Sequence, residues 1–124
     1  MAGDPRPLIA LVDDDALFRE SLILNLTGAG FAVQEWGDGE AFLAAVGQLE
    51  KPDLVLLDWK MPGLNGIEVL GRLRALRPDL PVIFLTVLGE QVFEEAALLG
   101  GAVDFVEKSR GFTLLERRIR IILG

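Results

Sequence analysis

The stretch from which the rest of the chain can be read is Asp53-Leu54-Val55-Leu56-Leu57-Asp58-Trp59-Lys60-Met61-Pro62-Gly63-Leu64-Asn65-Gly66. Asp53 to Leu57 runs almost wholly apolar into Asp58, Met61-Pro62-Gly63 turns the chain, and Asn65-Gly66 opens the next segment. A short apolar run bounded by turn signals reads as a strand buried on both faces. A carboxylate at the end of such a strand sits on rigid backbone at the edge where open α/β sheets bind their ligands. Asp58 is therefore read as a nucleophile, a metal ligand, or both.

Outward from this strand the chain alternates. On its N-terminal side, Leu8–Val12 is a second buried-type strand that runs into Asp13-Asp14-Asp15. Ala16 to about Ala29 is an amphipathic helix with Phe18, Leu22 and Leu26 inward, Arg19, Glu20 and Asn25 on the other side, and Asp15 as N-cap. Phe31–Trp36 alternates as a more exposed strand, and Glu40–Leu49 is a second helix, broken by Lys51-Pro52. On the C-terminal side, Gly66–Leu76 reads as a helix, Pro81–Leu85 as a strand ending at Thr86, and Glu90–Leu99 as a helix. Ala102–Val106 is a fifth strand ending at Glu107-Lys108, and Phe112–Leu123 a last helix with Leu115, Ile119 and Ile122 inward and Arg117, Arg118 and Arg120 off that stripe. Strand-helix alternation with short connections predicts a (βα)5 α/β fold, a doubly wound parallel sheet with helices on both faces and right-handed crossovers.

Composition narrows the chemistry. The 124 residues suffice for one domain with a sizeable core, expected to be ordered from about 8 to 123. The chain is 51% hydrophobic, yet no apolar run approaches the roughly 18 residues of a membrane helix. The first seven residues are a short polar lead without a signal-peptide core. There is no cysteine and no histidine. Disulfides, thiolate chemistry, Ser-His-Asp triads and an internal phosphohistidine relay are thereby excluded, and a cytoplasmic setting fits. The net charge of -7 argues against non-specific nucleic-acid binding by this segment. Carboxylate, lysine, hydroxyl and bound metal remain.

In a parallel sheet all strand C-termini share one edge. An order 2-1-3-4-5 makes the first and third strands neighbours, with the topological switch between them. Asp13, Asp14 and Asp58 then meet, and Thr86 and Lys108 end strands on the same edge. Crowded carboxylates need a raised pKa or a cation. Hard oxygen donors favour Mg²⁺, which pairs well with a phosphoryl group, and a carboxylate can serve as the nucleophile. Taken alone, Asp13-Asp14-Asp15 also reads as a solvated loop and helix cap, and Phe105 as an ordinary core ring.

Val12-Asp13-Asp14-Asp15, Asp58 with Met61-Pro62 and Gly66, Thr86, and Asp104-Phe105-Val106-Glu107-Lys108 together resemble the receiver domains of two-component response regulators, the CheY-like (flavodoxin-like) fold, over essentially the whole chain. The resemblance implies that Asp58 is the phosphoacceptor for a partner histidine kinase. Asp13 and Asp14 would be the acid pair for Mg²⁺, with Asp58 and the Lys60 backbone carbonyl completing the protein ligands. Thr86 and Lys108 would contact the phosphoryl group, Thr86 and Phe105 being the switch pair. The last helix and Asp104 are similar to the OmpR/PhoB type, which implies a phosphorylation-dependent homodimer through the fourth helix, fifth strand and last helix, with Asp104 and Arg118 pairing across it, and a transcriptional output. The end at Gly124 suits a stand-alone receiver or one that precedes an effector domain.

Three positions depart from the family's pattern. Ser109 replaces the usual proline, whose cis bond would cost ~3 kcal/mol before serine, and this puts the reach of Lys108 in question. Val87 stands where a smaller residue is common, narrowing access to the phosphoryl site. Asn65 stands where aspartate is frequent, though it can still cap the third helix. Lys60, a long cation two residues past Asp58, is expected to affect the lifetime of the phosphoryl group. Two alternatives stand beside this reading. An aspartate-nucleophile phosphatase of the haloacid-dehalogenase type needs an aspartate where Lys60 stands. A degenerate receiver would bind partners without being phosphorylated.

Overall fold

The computed structural model describes residues 5–48, 51–86 and 100–124. The expected helix 90–99, Val87 and Leu49 lie outside them. The elements are β1 (Leu8–Val12), α1 (Ala16–Gly28), β2 (Ala32–Trp36), α2 (Gly39–Val46), β3 (Leu54–Asp58), α3 (Gly66–Leu76), β4 (Val82–Thr86) and β5 (Asp104–Glu107), then one tight turn (Lys108–Arg110) and a C-terminal helix (Phe112–Leu123).

The five strands form one parallel sheet in the order β2-β1-β3-β4-β5, as expected. β3 lies at its centre and every residue of it is buried. Successive side chains of a strand face opposite ways, so a strand covered on both sides is apolar along its length, here until Asp58 at its end. Val55 and Leu57 pack with Phe42, Val46, Val69, Leu70 and Leu73 of α2 and α3. Leu54 and Leu56 pack on the other side with Leu22 and Leu26 of α1 and Leu115 and Ile119 of the C-terminal helix.

Helix ends follow local chemistry. Asp15 Oδ1 accepts from the Leu17 and Phe18 amides and starts α1. Gly30, at φ 98°, lets the chain turn back after it. Asn65 caps α3 through a reciprocal box with Glu68 (Asn65 Oδ1 to Glu68 N 2.9 Å, Asn65 N to Glu68 Oε1 3.0 Å). Gly66 is needed for a different reason. A Cβ there would come to 2.5 Å from Phe84 Cε1 and 2.7 Å from the Asp58 carbonyl oxygen, so only glycine allows α3 to start against the end of β3.

Several strand bounds shift from the expected ones. β4 begins at Val82 rather than Pro81, since proline has no N–H for the ladder. β3 runs from Leu54 to Asp58 rather than Asp53 to Leu57; Asp53 lies just before it, its amide donating to Leu8 O (2.8 Å) and its carboxylate accepting from the Leu8 amide (2.7 Å). β2 starts at Ala32, with Phe31 buried just before it. β5 begins at Asp104 rather than Ala102: Ala102 is buried but lies in the approach to the strand. Among the described residues no helix is long and apolar enough to cross a membrane.

Candidate functional site

The C-terminal edge of the sheet gathers the acidic residues that the sequence singled out. β1 delivers Asp13 and Asp14, and β3 delivers Asp58. Carboxylate oxygens of the three lie within 4.8 Å of one another. Asp13 is wholly buried and Asp58 is 3% exposed, whereas Asp14 faces solvent. Lys108 closes the group: its Nζ lies 2.7 Å from Asp13 Oδ2 and 3.2 Å from Asp58 Oδ1. It also sits 4.4 Å from the centre of the Phe18 ring, a favourable place for a cation. Ser109 therefore does not prevent Lys108 from reaching the site, which removes that question.

Two buried carboxylates and one ammonium leave an imbalance. Burial pushes the Asp58 carboxyl up and the Asp13 charge pushes it further; Lys108 only partly offsets them, and the result is a pKa of about 7. Burial alone would push Lys108 down. Its contact with Asp13 and the charges of Asp58 and Asp13 outweigh that and hold it above its ordinary value. Asp13 Oδ2 is buried and meets the Lys108 ammonium at 2.7 Å. Three hard oxygen donors gathered so closely, two of them buried, could hold a divalent cation.

The edges of the site are held from several elements. Asp13 N donates to Trp36 O (3.1 Å), tying β1 to the end of β2. Asp13 Oδ1 accepts from the Asp15 amide (2.9 Å). Beyond Asp58, Trp59 N donates to Leu85 O (3.1 Å) and Gly66 N to Trp59 O (2.9 Å), so the loop that follows Asp58 stays pinned to β4 and α3. Lys60 is exposed in that loop. Thr86 is buried at the last position of β4, in register with Glu107. Phe105 is half-buried against the cluster that holds Phe84.

Asp104 and Arg118 stand away from this edge. Arg118 Nη1 donates to both Asp104 oxygens, at 2.8 and 2.7 Å, within one chain. Two residues placed only by helical face in the sequence lie beside the acids. Arg19, read as outward, is largely covered and its Nη1 donates to the Asp13 carbonyl (2.5 Å). Phe18, read as core, also backs Lys108. A helical period reports which face a residue occupies, but not how far a long side chain reaches past its own helix.

Residues 9–120 match the family described as response regulator receiver domain. The transcriptional regulatory protein FixJ of Bradyrhizobium diazoefficiens is 42% identical over 116 residues, spanning 90% of this chain and 56% of that protein. The DNA-binding response regulator MtrA of Mycobacterium tuberculosis is 44% identical over 117 residues, spanning 93% and 50%. The chain thus spans about half the length of these curated relatives. The crystal structure of FixJ-N superposes with a TM-score of 0.87 at 33% identity, covering 98% of this chain and 95% of that one. The receiver domain of the Francisella response regulator 1452 gives 0.87 at 26% identity, covering 95% and 97%.

Proposed function

From the premise that this chain belongs to the response regulator receiver domain family, we propose that Asp58 accepts a phosphoryl group from the phosphohistidine of a partner kinase. The observation that carries the reading is the meeting of Asp58, Asp13, Asp14 and Lys108 at one sheet edge. An Asp58 carboxylate oxygen attacks phosphorus, the phosphorus–nitrogen bond of the donor breaks, and the imidazole leaves with the electron pair. The product is an acyl phosphate on Asp58. Asp13, Asp14, Asp58 and the Lys60 carbonyl hold Mg²⁺, which supplies charge neutralisation of the phosphoryl oxygens. Lys108 exchanges its contact with the Asp58 carboxylate for one with the phosphoryl group. Thr86 donates its hydroxyl to the same group, and Phe105 follows the movement of Thr86. The output face includes β5 and the C-terminal helix, and it pairs two copies in the phosphorylated state. A transcriptional output is supported by relatives described as transcriptional and DNA-binding regulators.

The deciding experiment is intact mass after incubation with Mg²⁺ and acetyl phosphate. Wild type is expected to gain one phosphoryl group and Asp58→Asn none. A folded wild type that takes up nothing would leave a receiver that binds partners without phosphorylation.

A further inference from the structure

Arg19 leaves the first turn of α1 and turns back over the end of β1. Its Nε donates to Glu35 Oε1 of β2 (2.9 Å), and its Nη1 donates to the Asp13 backbone carbonyl (2.5 Å). Its side chain is 18% exposed although it belongs to an outward position of the helix. The guanidinium also lies against Gly37, where a Cβ would stand 3.4 Å from Nη1. Asp13 is thus gripped at each polar atom. Its amide is held by Trp36, its carbonyl by Arg19, Oδ1 by the Asp15 amide, and Oδ2 faces Lys108.

We propose that Arg19, oriented by Glu35, is a positioning residue for the cation site: it clamps the Asp13 carbonyl and so fixes the loop that presents the Asp13 and Asp14 carboxylates. The inference rests on the metal-binding reading given above. The chemistry calls for arginine. Its planar fork serves two partners in different directions with two different N–H groups. A lysine offers one point charge and can satisfy the carbonyl or Glu35, but cannot hold both in the same geometry. The clamp touches no reacting atom. Its effect is on where two carboxylates stand before any ligand arrives, the kind of support that commonly governs metal affinity.

Two readouts test it. The first uses the metal-free protein and amide hydrogen exchange. In Arg19→Met the Asp15 amide, whose acceptor is the Asp13 side chain, is expected to exchange several-fold faster, while the Leu56 amide in β3 keeps its rate. Unchanged Asp15 exchange overturns the proposal, and a parallel rise at Leu56 does so too, because it marks general destabilisation. The second is Mg²⁺ titration by calorimetry. Affinity is expected to fall about tenfold in Arg19→Met, less in Arg19→Lys, and about twofold in Glu35→Gln. Asp14→Asn serves as the control that removes the site. If wild type shows no affinity, the metal reading fails and the inference with it. If wild type binds, Asp14→Asn does not, and Arg19→Met binds as wild type does, the inference alone fails. Should Arg19→Met not fold, Arg19→Lys and Glu35→Gln decide by the same two readouts.

Discussion

Asp58 holds its proton to a pKa of about 7, against an ordinary value of 3.8. The native state therefore binds a proton that the unfolded chain has already released between those two values. Stability must fall as pH rises through that window. We expect the urea midpoint to drop between pH 5 and pH 8, and Asp58→Asn to flatten the drop and be the more stable protein at pH 8. The gain is on the order of 1–4 kcal/mol, from the free energy that accompanies a displaced pKa. Equal pH slopes for the two proteins would sink this account. Under the proposed function, Mg²⁺ would act in the opposite sense. A cation bound there would favour the ionised carboxylates, so millimolar Mg²⁺ is expected to raise the midpoint of wild type at pH 8 and leave it nearly unchanged at pH 5. A midpoint that rises equally at both pH values would count against binding at these carboxylates.

At the scale of the element, the junction of β3 and α3 fixes where Asp58 stands. Gly66→Ala pushes a methyl into Phe84 and into the Asp58 carbonyl, and about 1–3 kcal/mol is expected to be lost in chemical denaturation. Asn65→Ala removes only the capping box and is expected to cost about 1 kcal/mol. A Gly66→Ala midpoint no lower than that of Asn65→Ala would show that the junction yields more easily than its contacts suggest. These elements were the legible part of the chain. β3 betrayed itself because a strand covered on both faces must be apolar throughout, and its carboxylate ends that run abruptly. The strand ends were less legible. Apolar pattern marks burial, not the hydrogen-bond ladder, so Ala102 reads as strand although it lies before β5. Asp13, Asp14, Asp58 and Lys108 could be anticipated from strand ends alone. Arg19 and Glu35 could not, since their partnership runs between a helix and a neighbouring strand through side-chain length that periodicity does not record.

At the scale of the whole molecule, the two faces of the sheet carry different duties. One packs α1 and the C-terminal helix, the other α2 and α3, and Asp13, Asp14, Asp58 and Lys108 lie on the edge between them. Truncating a side chain at the centre, as in Leu56→Ala, is expected to cost about 2–5 kcal/mol while leaving phosphoryl uptake by the folded fraction unchanged. Arg118→Ala, on the rim, is expected to cost at most about 1 kcal/mol, because its partner pair is partly in solvent. Loss of several kcal/mol on that change would mean that the pair is a structural strut. The closed Asp104–Arg118 pair has a further consequence for assembly. If two copies met by trading these partners, each chain would surrender one ion pair and receive one. Association would then be an exchange, neutral in its count of charge contacts, and its equilibrium would vary little with ionic strength. Two copies that joined by making fresh ion pairs would instead separate as salt is added, so a salt series on the phosphorylated protein distinguishes trading from adding.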